Sequence, residues 1–301
     1  MTRDRSKEYT PSRFGIGMLA LLARLPLPAL ALLGTAFGQL AYALDRKRRR
    51  IVATNLKLCF PELKPAEARR LMRAHFHAVG RATLCNVAIA WWRSQERLQR
   101  CVQVEGAQHF AAARASGRPV ILMVPHFLSL EIAALRITAE YPVIGMYREP
   151  RKHLFHWALH RYRTRFGGIA LERGASLKPL IRHMREGKAF FYLPDVDPTD
   201  KAPHIFVPFF GVPAATVTAL SRIARLTEAL VVPCIARERA WGRYQIEFLP
   251  ALENFPSDDA AADVGRMNAV IEAEVRKTPA QYLWIHRRFK TRPPRERSLY
   301  E

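Results

Sequence analysis

The residues best placed to do chemistry are His126 and Glu131, in the run Val120-Ile-Leu-Met-Val-Pro-His-Phe-Leu-Ser-Leu-Glu131. A histidine beside a carboxylate is a general base whose tautomer is held and whose imidazolium is stabilised. Such a pair can take the proton from a hydroxyl that is about to act as a nucleophile. On one continuous helix, residues five apart lie about 140° apart and face different ways. The pair can therefore meet only if His126 sits on a loop and Glu131 at the start of the following helix. Pro125, which breaks the apolar run, favours that arrangement. The spacing is common, and an unrelated loop histidine and surface glutamate would look the same.

Other groups carry weaker signals. Asp195-Val-Asp197 could hold Mg²⁺ or Mn²⁺, as in sugar-nucleotide glycosyltransferases, but no glycine-rich phosphate loop accompanies it. His153, His156 and His160 share one helical face without an acidic or Cys ligand on the same stripe, which favours a basic or aromatic face over zinc. Arg163 lies in His160-Arg-Tyr-Arg-Thr-Arg-Phe-Gly-Gly168, where three arginines within five residues could equally form a solvated face. No cysteine or serine lies in a nucleophile motif such as G-x-S-x-G. Cys59, Cys85, Cys101 and Cys234 show neither CxxC spacing nor a disulfide framework, in keeping with a reducing compartment.

The elements that must position these groups alternate from about residue 118 onwards. Strand-like runs cover Val120–Val124, Val143–Tyr147, Ala189–Leu193, Ile205–Phe209, Leu230–Ala236 and Tyr244–Leu249. Helix-like runs cover Ser129–Glu140, Lys152–Arg165, Leu177–Glu186, Thr216–Thr227 and Ala260–Lys277. Residues 51–100 read as helical, with a helix opening at Pro65-Ala66-Glu67. This order predicts an α/β sandwich with a mostly internal sheet. In such folds functional groups gather at the C-terminal ends of strands, where His126, Arg148 and Asp195 all fall.

Ahead of this body, Phe14 to Leu44 is apolar apart from Arg24 and the interruption Pro26-Leu-Pro28. Leu27–Leu44 would form a helix of about 27 Å, close to the hydrocarbon thickness of a bilayer. Arg46-Lys-Arg-Arg-Arg50 follows at once and predicts a cytoplasmic C-terminal flank. A cleaved signal peptide fits poorly, because the apolar run is long and the basic cluster is immediate. A buried soluble helix is a second reading, and an uncleaved anchor or interfacial helix is preferred. The two prolines leave a full crossing and a segment lying in one leaflet equally open. The expected division is an N-terminal membrane segment, 1–45, and a catalytic domain, 46–301.

The chain has 301 residues, with 48 Lys and Arg against 26 Asp and Glu, a formal net charge of +22. That excess implies a polyanionic partner: nucleic acid, an anionic membrane, or a phosphorylated substrate. No helix-turn-helix, zinc-finger or RRM signature supports nucleic acid, and the apolar run has no role there. Six basic residues between Arg287 and Arg297 could grip phosphates or an acidic protein, or form a solvated tail.

At His126-x4-Glu131 the sequence resembles the His-x4-Asp/Glu signature of the glycerolipid and lysophospholipid acyltransferases. Six ordered blocks narrow the likeness: Asn55–Glu62, His126–Glu131, Tyr147-Arg148, Tyr192–Asp197, Phe206–Gly211 and Gln281–Pro293. Together they resemble the late, secondary acyltransferases of lipid A biosynthesis, of lauroyl and myristoyl transfer type. Val196 departs from the family, which often carries a polar residue between the two aspartates. The resemblance implies an αβα sandwich of the glycerol-3-phosphate acyltransferase type with an N-terminal membrane helix. It implies an acyl-acyl carrier protein donor, a Kdo-lipid A acceptor, an anionic membrane surface as partner, and no cofactor or metal. The expected place is the bacterial inner membrane, with the catalytic domain on the cytoplasmic side. In this reading His126, oriented by Glu131, is the base. Arg163 binds phosphate or stabilises an oxyanion, with Arg148 a similar candidate, and Asp195 is a charge partner near the histidine. The alternative within the superfamily is acylation of a phosphatidylinositol mannoside or a lysophospholipid.

Overall fold

The computed structural model describes residues 13–92, 94–147, 163–172, 176–198 and 202–300. Arg148 and the three histidines at 153, 156 and 160 lie outside the described residues, as does most of the helix expected over Lys152–Arg165.

The N-terminal part is helical: α1 (Arg13–Leu22), α2 (Leu27–Leu44), α3 (Arg46–Cys59), α4 (Pro65–Trp91) and α5 (Gln95–Cys101). Pro at the first turn suits α4, since its missing N–H would have had no partner there. The backbone N–H of Lys64 donates to Glu67, closing the start of the helix. Then follow β1 (Val102–Glu105), α6 (Ala107–Ala115), β2 (Val120–Met123), α7 (Leu130–Thr138), β3 (Val143–Tyr147), β4 (Ile169–Glu172), α8 (Lys178–Arg185) and β5 (Ala189–Tyr192). The hairpin β6 (His204–Phe209) and β7 (Val212–Val217) precedes α9 (Ala219–Thr227), β8 (Leu230–Ala240), β9 (Arg243–Phe248) and α10 (Ala260–Lys277).

A seven-stranded sheet runs in the order β1-β9-β8-β2-β5-β3-β4. All its pairings are parallel except β8 with β9. Side chains alternate between its faces, as a strand requires. On β2, Ile121 and Met123 join one apolar cluster with Leu56 of α3, Ile223 of α9 and Ile271 of α10. Val120 and Leu122 join the other, with Ile89 of α4, Phe110 of α6 and Ile132 of α7. The result is a mixed α/β fold with helices over both faces of a largely parallel sheet. Near-continuous apolar runs such as Val120–Met123, buried throughout, are what burial on both faces demands.

The expected strands are all present, with two differences. The strand expected at Ile205–Phe209 belongs to the separate antiparallel hairpin rather than the main sheet. Thr216 and Val217 end β7, so α9 starts later than the apolar pattern implied. Strands β1, β4 and β7 lack a long β-branched run, and their sequences do not stand out from turns.

The apolar segment α2 is packed along α4. Gly34 and Gly38 face Gly80 so closely that a Cβ on Gly38 would lie 2.2 Å from the carbonyl oxygen of Phe76, and one on Gly80 2.0 Å from that of Gly34. Gly38→Ala should therefore destabilise the protein by about 1–3 kcal/mol, the usual cost of overpacking, read as a lower denaturation midpoint. A midpoint equal to wild type would mean that the two helices do not meet this way.

Candidate active site

The site is built from the C-terminal ends of two neighbouring parallel strands. Met123 of β2 is in register with Tyr192 of β5. Three residues beyond each lie His126 and Asp195, and equal overshoot from paired strands brings them together. Val124 continues the pairing, donating its N–H to the Tyr192 carbonyl at 2.8 Å. His126 Nδ1 lies 2.7 Å from Asp195 Oδ1, and the His126 backbone N–H donates to Asp195 Oδ2 at 2.9 Å. Asp195 is 1% exposed, so this carboxylate faces protein on all sides.

The electrostatics agree with an ionised Asp195. Burial by itself raises its pKa. The charge of His126, two hydrogen bonds from that residue and one from the Tyr282 hydroxyl more than offset this, and hold it below the ordinary value. An ionised carboxylate only accepts, so the proton between the two groups sits on His126 Nδ1. In the neutral form of the ring, Nε2 is then the acceptor. Burial, then the negative charge of Asp195, pushes the Tyr282 phenol well above its usual range, so it stays a donor.

The loop carrying His126 is clamped by the C-terminal block. Leu128 N–H donates to Gln281 O at 2.9 Å, and Leu283 N–H donates to His126 O at 3.0 Å. Gln281 is itself held, accepting from Glu238 N–H and donating to Glu238 O. Behind it, Asn55 Nδ2 donates to the carbonyls of Trp284 and His286 at 2.7 and 2.8 Å, and the Tyr300 hydroxyl donates to Asn55 Oδ1. Asn55, Tyr282 and Tyr300 received no role from sequence reasoning, although each lies in or near the quoted blocks. A buried Asn in an otherwise apolar helix face was the signal available for the first.

Glu131 lies in the first turn of α7, as expected. Sequence reasoning assigns it the orienting role; in the structure the bond to imidazole Nδ1 is made by Asp195, and the Glu131 carboxylate is engaged by Arg163. The guanidinium of Arg163 reaches both Glu131 oxygens, Nη2 to Oε1 at 2.5 Å and Nε to Oε2 at 3.4 Å. The physical reason lies in register: a neighbouring strand end reaches the loop, while a helix start can turn to its own outer neighbours. Gly167 and Gly168 carry the chain back beneath Arg163. Gly167 has φ of 87°, and a Cβ on Gly168 would come within 2.1 Å of the Arg163 carbonyl oxygen.

Two cavities open around these groups. One is lined by Glu131, Arg163 and Thr138 and otherwise by apolar groups including Leu135, Val143, Met146 and Phe191. The other is an open cleft with His126, Met146, Phe190, Phe191, Ile223 and Leu226 on its walls. Met146, Phe191 and Leu193 line both. Apolar walls with a few convergent polar groups suit a ligand with a long hydrocarbon part.

The Asp195-x-Asp197 pair is split. Asp195 faces His126, while Asp197 accepts from the backbone and hydroxyl of Thr291, both at 2.9 Å. His286 Nε2 accepts from the Asp197 N–H at 3.0 Å. Burial, then the charge of His126, lowers the His286 pKa, which keeps that ring neutral and able to accept. Among the described residues no cluster of three or more His, Cys, Asp or Glu side chains could hold a metal ion. The basic C-terminal block is partly structural. Arg288 is buried and donates to Ala215 O and Thr216 Oγ1, and Arg292 donates to Pro213 O while pairing with Glu296. The four cysteines are free thiols.

Comparison with known proteins gives a consistent result over almost the whole length. Residues 2–291 match the model of the bacterial lipid A biosynthesis acyltransferase family. The chain is 37% identical over 294 residues to the lipid A biosynthesis lauroyltransferase of Escherichia coli K12, covering 97% of this chain and 95% of that protein. It is 34% identical, with the same coverage, to the lipid A biosynthesis palmitoleoyltransferase of that strain. To its lipid A biosynthesis myristoyltransferase it is 30% identical over 303 residues, covering 99% of this chain and 92% of the relative. A histidine set at paired strand ends, apolar cavities beside it and similarity along nearly the whole chain accompany one assignment: this protein belongs to the bacterial lipid A biosynthesis acyltransferase family.

Proposed function

We propose that this acyltransferase of lipid A biosynthesis moves a fatty acyl chain from an acyl-acyl carrier protein to a hydroxyl of a Kdo-lipid A precursor, with His126 as general base. The observation that carries the mechanism is the 2.7 Å bond between His126 Nδ1 and the buried Asp195. In the neutral imidazole that bond leaves Nε2 without a proton, and His126 lines the open cleft.

In this mechanism Nε2 takes the proton of an acceptor hydroxyl as its oxygen attacks the thioester carbonyl carbon. The tetrahedral intermediate carries its negative charge on the former carbonyl oxygen. As that charge returns, the carbon–sulfur bond breaks, and the imidazolium gives its proton to the leaving thiolate. Asp195 stabilises the imidazolium while it exists. The product is an ester and the free carrier thiol, with no covalent acyl-enzyme. Arg163, fixed by Glu131, offers a cation to the oxyanion or to an acceptor phosphate, and Arg148 is proposed for phosphate contact. The apolar cavities receive the fatty chains.

The reading also places the enzyme on the cytoplasmic face of the inner membrane, where the acceptor's phosphates and an acidic carrier both suit an excess of 22 positive charges. Mass spectrometry of lipid A from cells with and without the gene tests it. The expected difference is one acyl unit, whose mass reports the chain length. Unchanged lipid A together with an altered phosphatidylinositol mannoside or lysophospholipid would reject the proposed acceptor.

A further inference from the structure

The outer surface of α2 has a composition that the catalytic site does not explain. Its inner face, with Leu27, Leu30, Ala31, Gly34 and Gly38, is buried against the protein. The opposite face is exposed and apolar: Ala29, Leu32, Leu33, Phe37, Leu40 and Leu44 recur at helical spacing without a charge among them. Leu33, Phe37, Leu40 and Leu44 are each about half exposed or more, between 49% and 71%. Met18 and Leu21 of α1 are likewise exposed apolar side chains. The exposed basic side chains Arg46, Lys47, Arg48 and Arg50 follow the C-terminal end of α2. An apolar stripe ending in a basic cluster fits an anionic lipid surface.

The polar contacts on the protein side of α2 decide how it meets that surface. Residues 34–42 run antiparallel to residues 73–81 of α4, with Gly34 against Gly80 and Gly38 against Phe76. Along this contact His77 bonds Gln39 at 2.9 Å, and Arg73 lies over the ring of Tyr42, 5.4 Å from its centre. Arg81 pairs with Glu238 at 2.8 Å. A helix crossing the bilayer would carry this stretch of α4, with two arginines, two histidines and the Glu238 paired to Arg81, to hydrocarbon depth. Each such charge is costly there. Lying flat avoids that cost and still buries the apolar stripe. Near the N-terminal turn of α2, Leu27 packs on Gly242 of the β8–β9 turn, next to the half-exposed Trp241. Tryptophan favours the headgroup level.

We propose that α2 lies in the plane of the membrane, embedded by its outer face in a single anionic leaflet, and does not cross. This deepens the membrane placement given above and rests on it. The test uses the full-length protein in sealed membrane vesicles of both orientations. Cys101→Ser supplies the background, since the other three cysteines are buried. Arg24→Cys and Lys47→Cys, both at exposed positions on either side of α2, are then labelled separately with a membrane-impermeant maleimide. In-plane seating predicts that both label from the same side. Labelling from opposite sides would overturn the proposal. Which side reacts tests the cytoplasmic placement, so the two readings can fail independently. A second arm asks what covers the stripe. Phe37→Asp with Leu40→Asp should lower cosedimentation with phosphatidylglycerol-containing vesicles at least tenfold. Undiminished vesicle binding, or a detergent-free dimer dissolved by these changes without vesicle binding, would overturn the lipid surface as the occupant.

Discussion

His126→Ala is expected to lower acyl transfer by roughly 10²–10⁴-fold while the protein remains folded and membrane-bound. The imidazole lines the open cleft, and its side chain keeps 18% of its surface exposed. Its removal leaves Asp195 without its principal partner, still accepting from the backbone N–H of residue 126 and from Tyr282. A steady-state assay with acyl-acyl carrier protein and a Kdo-lipid A precursor, alongside a thermal melt, separates the two effects. Turnover within a few-fold of wild type in a folded variant would remove His126 from the mechanism.

Asp195→Asn should cost a comparable amount for a different reason. The wild-type carboxylate accepts twice from His126, from the backbone N–H and from the ring. An amide has one oxygen for those two donors. If that oxygen serves the backbone, its NH₂ faces Nδ1 and donates to it. The ring proton then moves to Nε2, which presents a donor where the mechanism needs an acceptor. The expected loss is roughly 10²–10⁴-fold in kcat, with acceptor KM changed little. Stability changes in a pH-dependent way. Asp195 is held below its ordinary pKa in the folded protein, so its ionisation stabilises the fold above about pH 4 and stops doing so as pH falls through the folded value. The gap in denaturation midpoint between wild type and Asp195→Asn should thus be full near neutrality and shrink in acid. Glu131→Gln is the comparison, because the Glu131 carboxylate pairs with Arg163 and not with the imidazole Nδ1. It should lower turnover without moving the pH dependence of kcat, and a shifted profile would mean that Glu131 also tunes the base.

Much of the architecture was legible in one dimension. Runs such as Val120–Met123 and Ala189–Tyr192 are apolar throughout because both faces of the sheet are covered, and that pattern marks internal parallel strands without an alignment. Helix α10 could be placed to the residue, since Asp259 caps it and its side chain accepts from the N–H groups of Ala261 and Ala262. Strands β1 and β4 were hidden because they are short and lie at the sheet edges, where half-buried residues carry little pattern.

The sequence by itself determined which residue could act as a base, its place after a strand, and the family through ordered blocks spread along the chain. It also determined that Leu27–Leu44 carries no formal charge. Only the tertiary structure decided which carboxylate meets the histidine. That depends on strand β5 lying beside β2 in a register set by hydrogen bonds between segments 69 residues apart in the chain, which no local spacing encodes. The same holds for α2: glycine spacing admits a close neighbour, but only packing against α4 decides which face is left exposed.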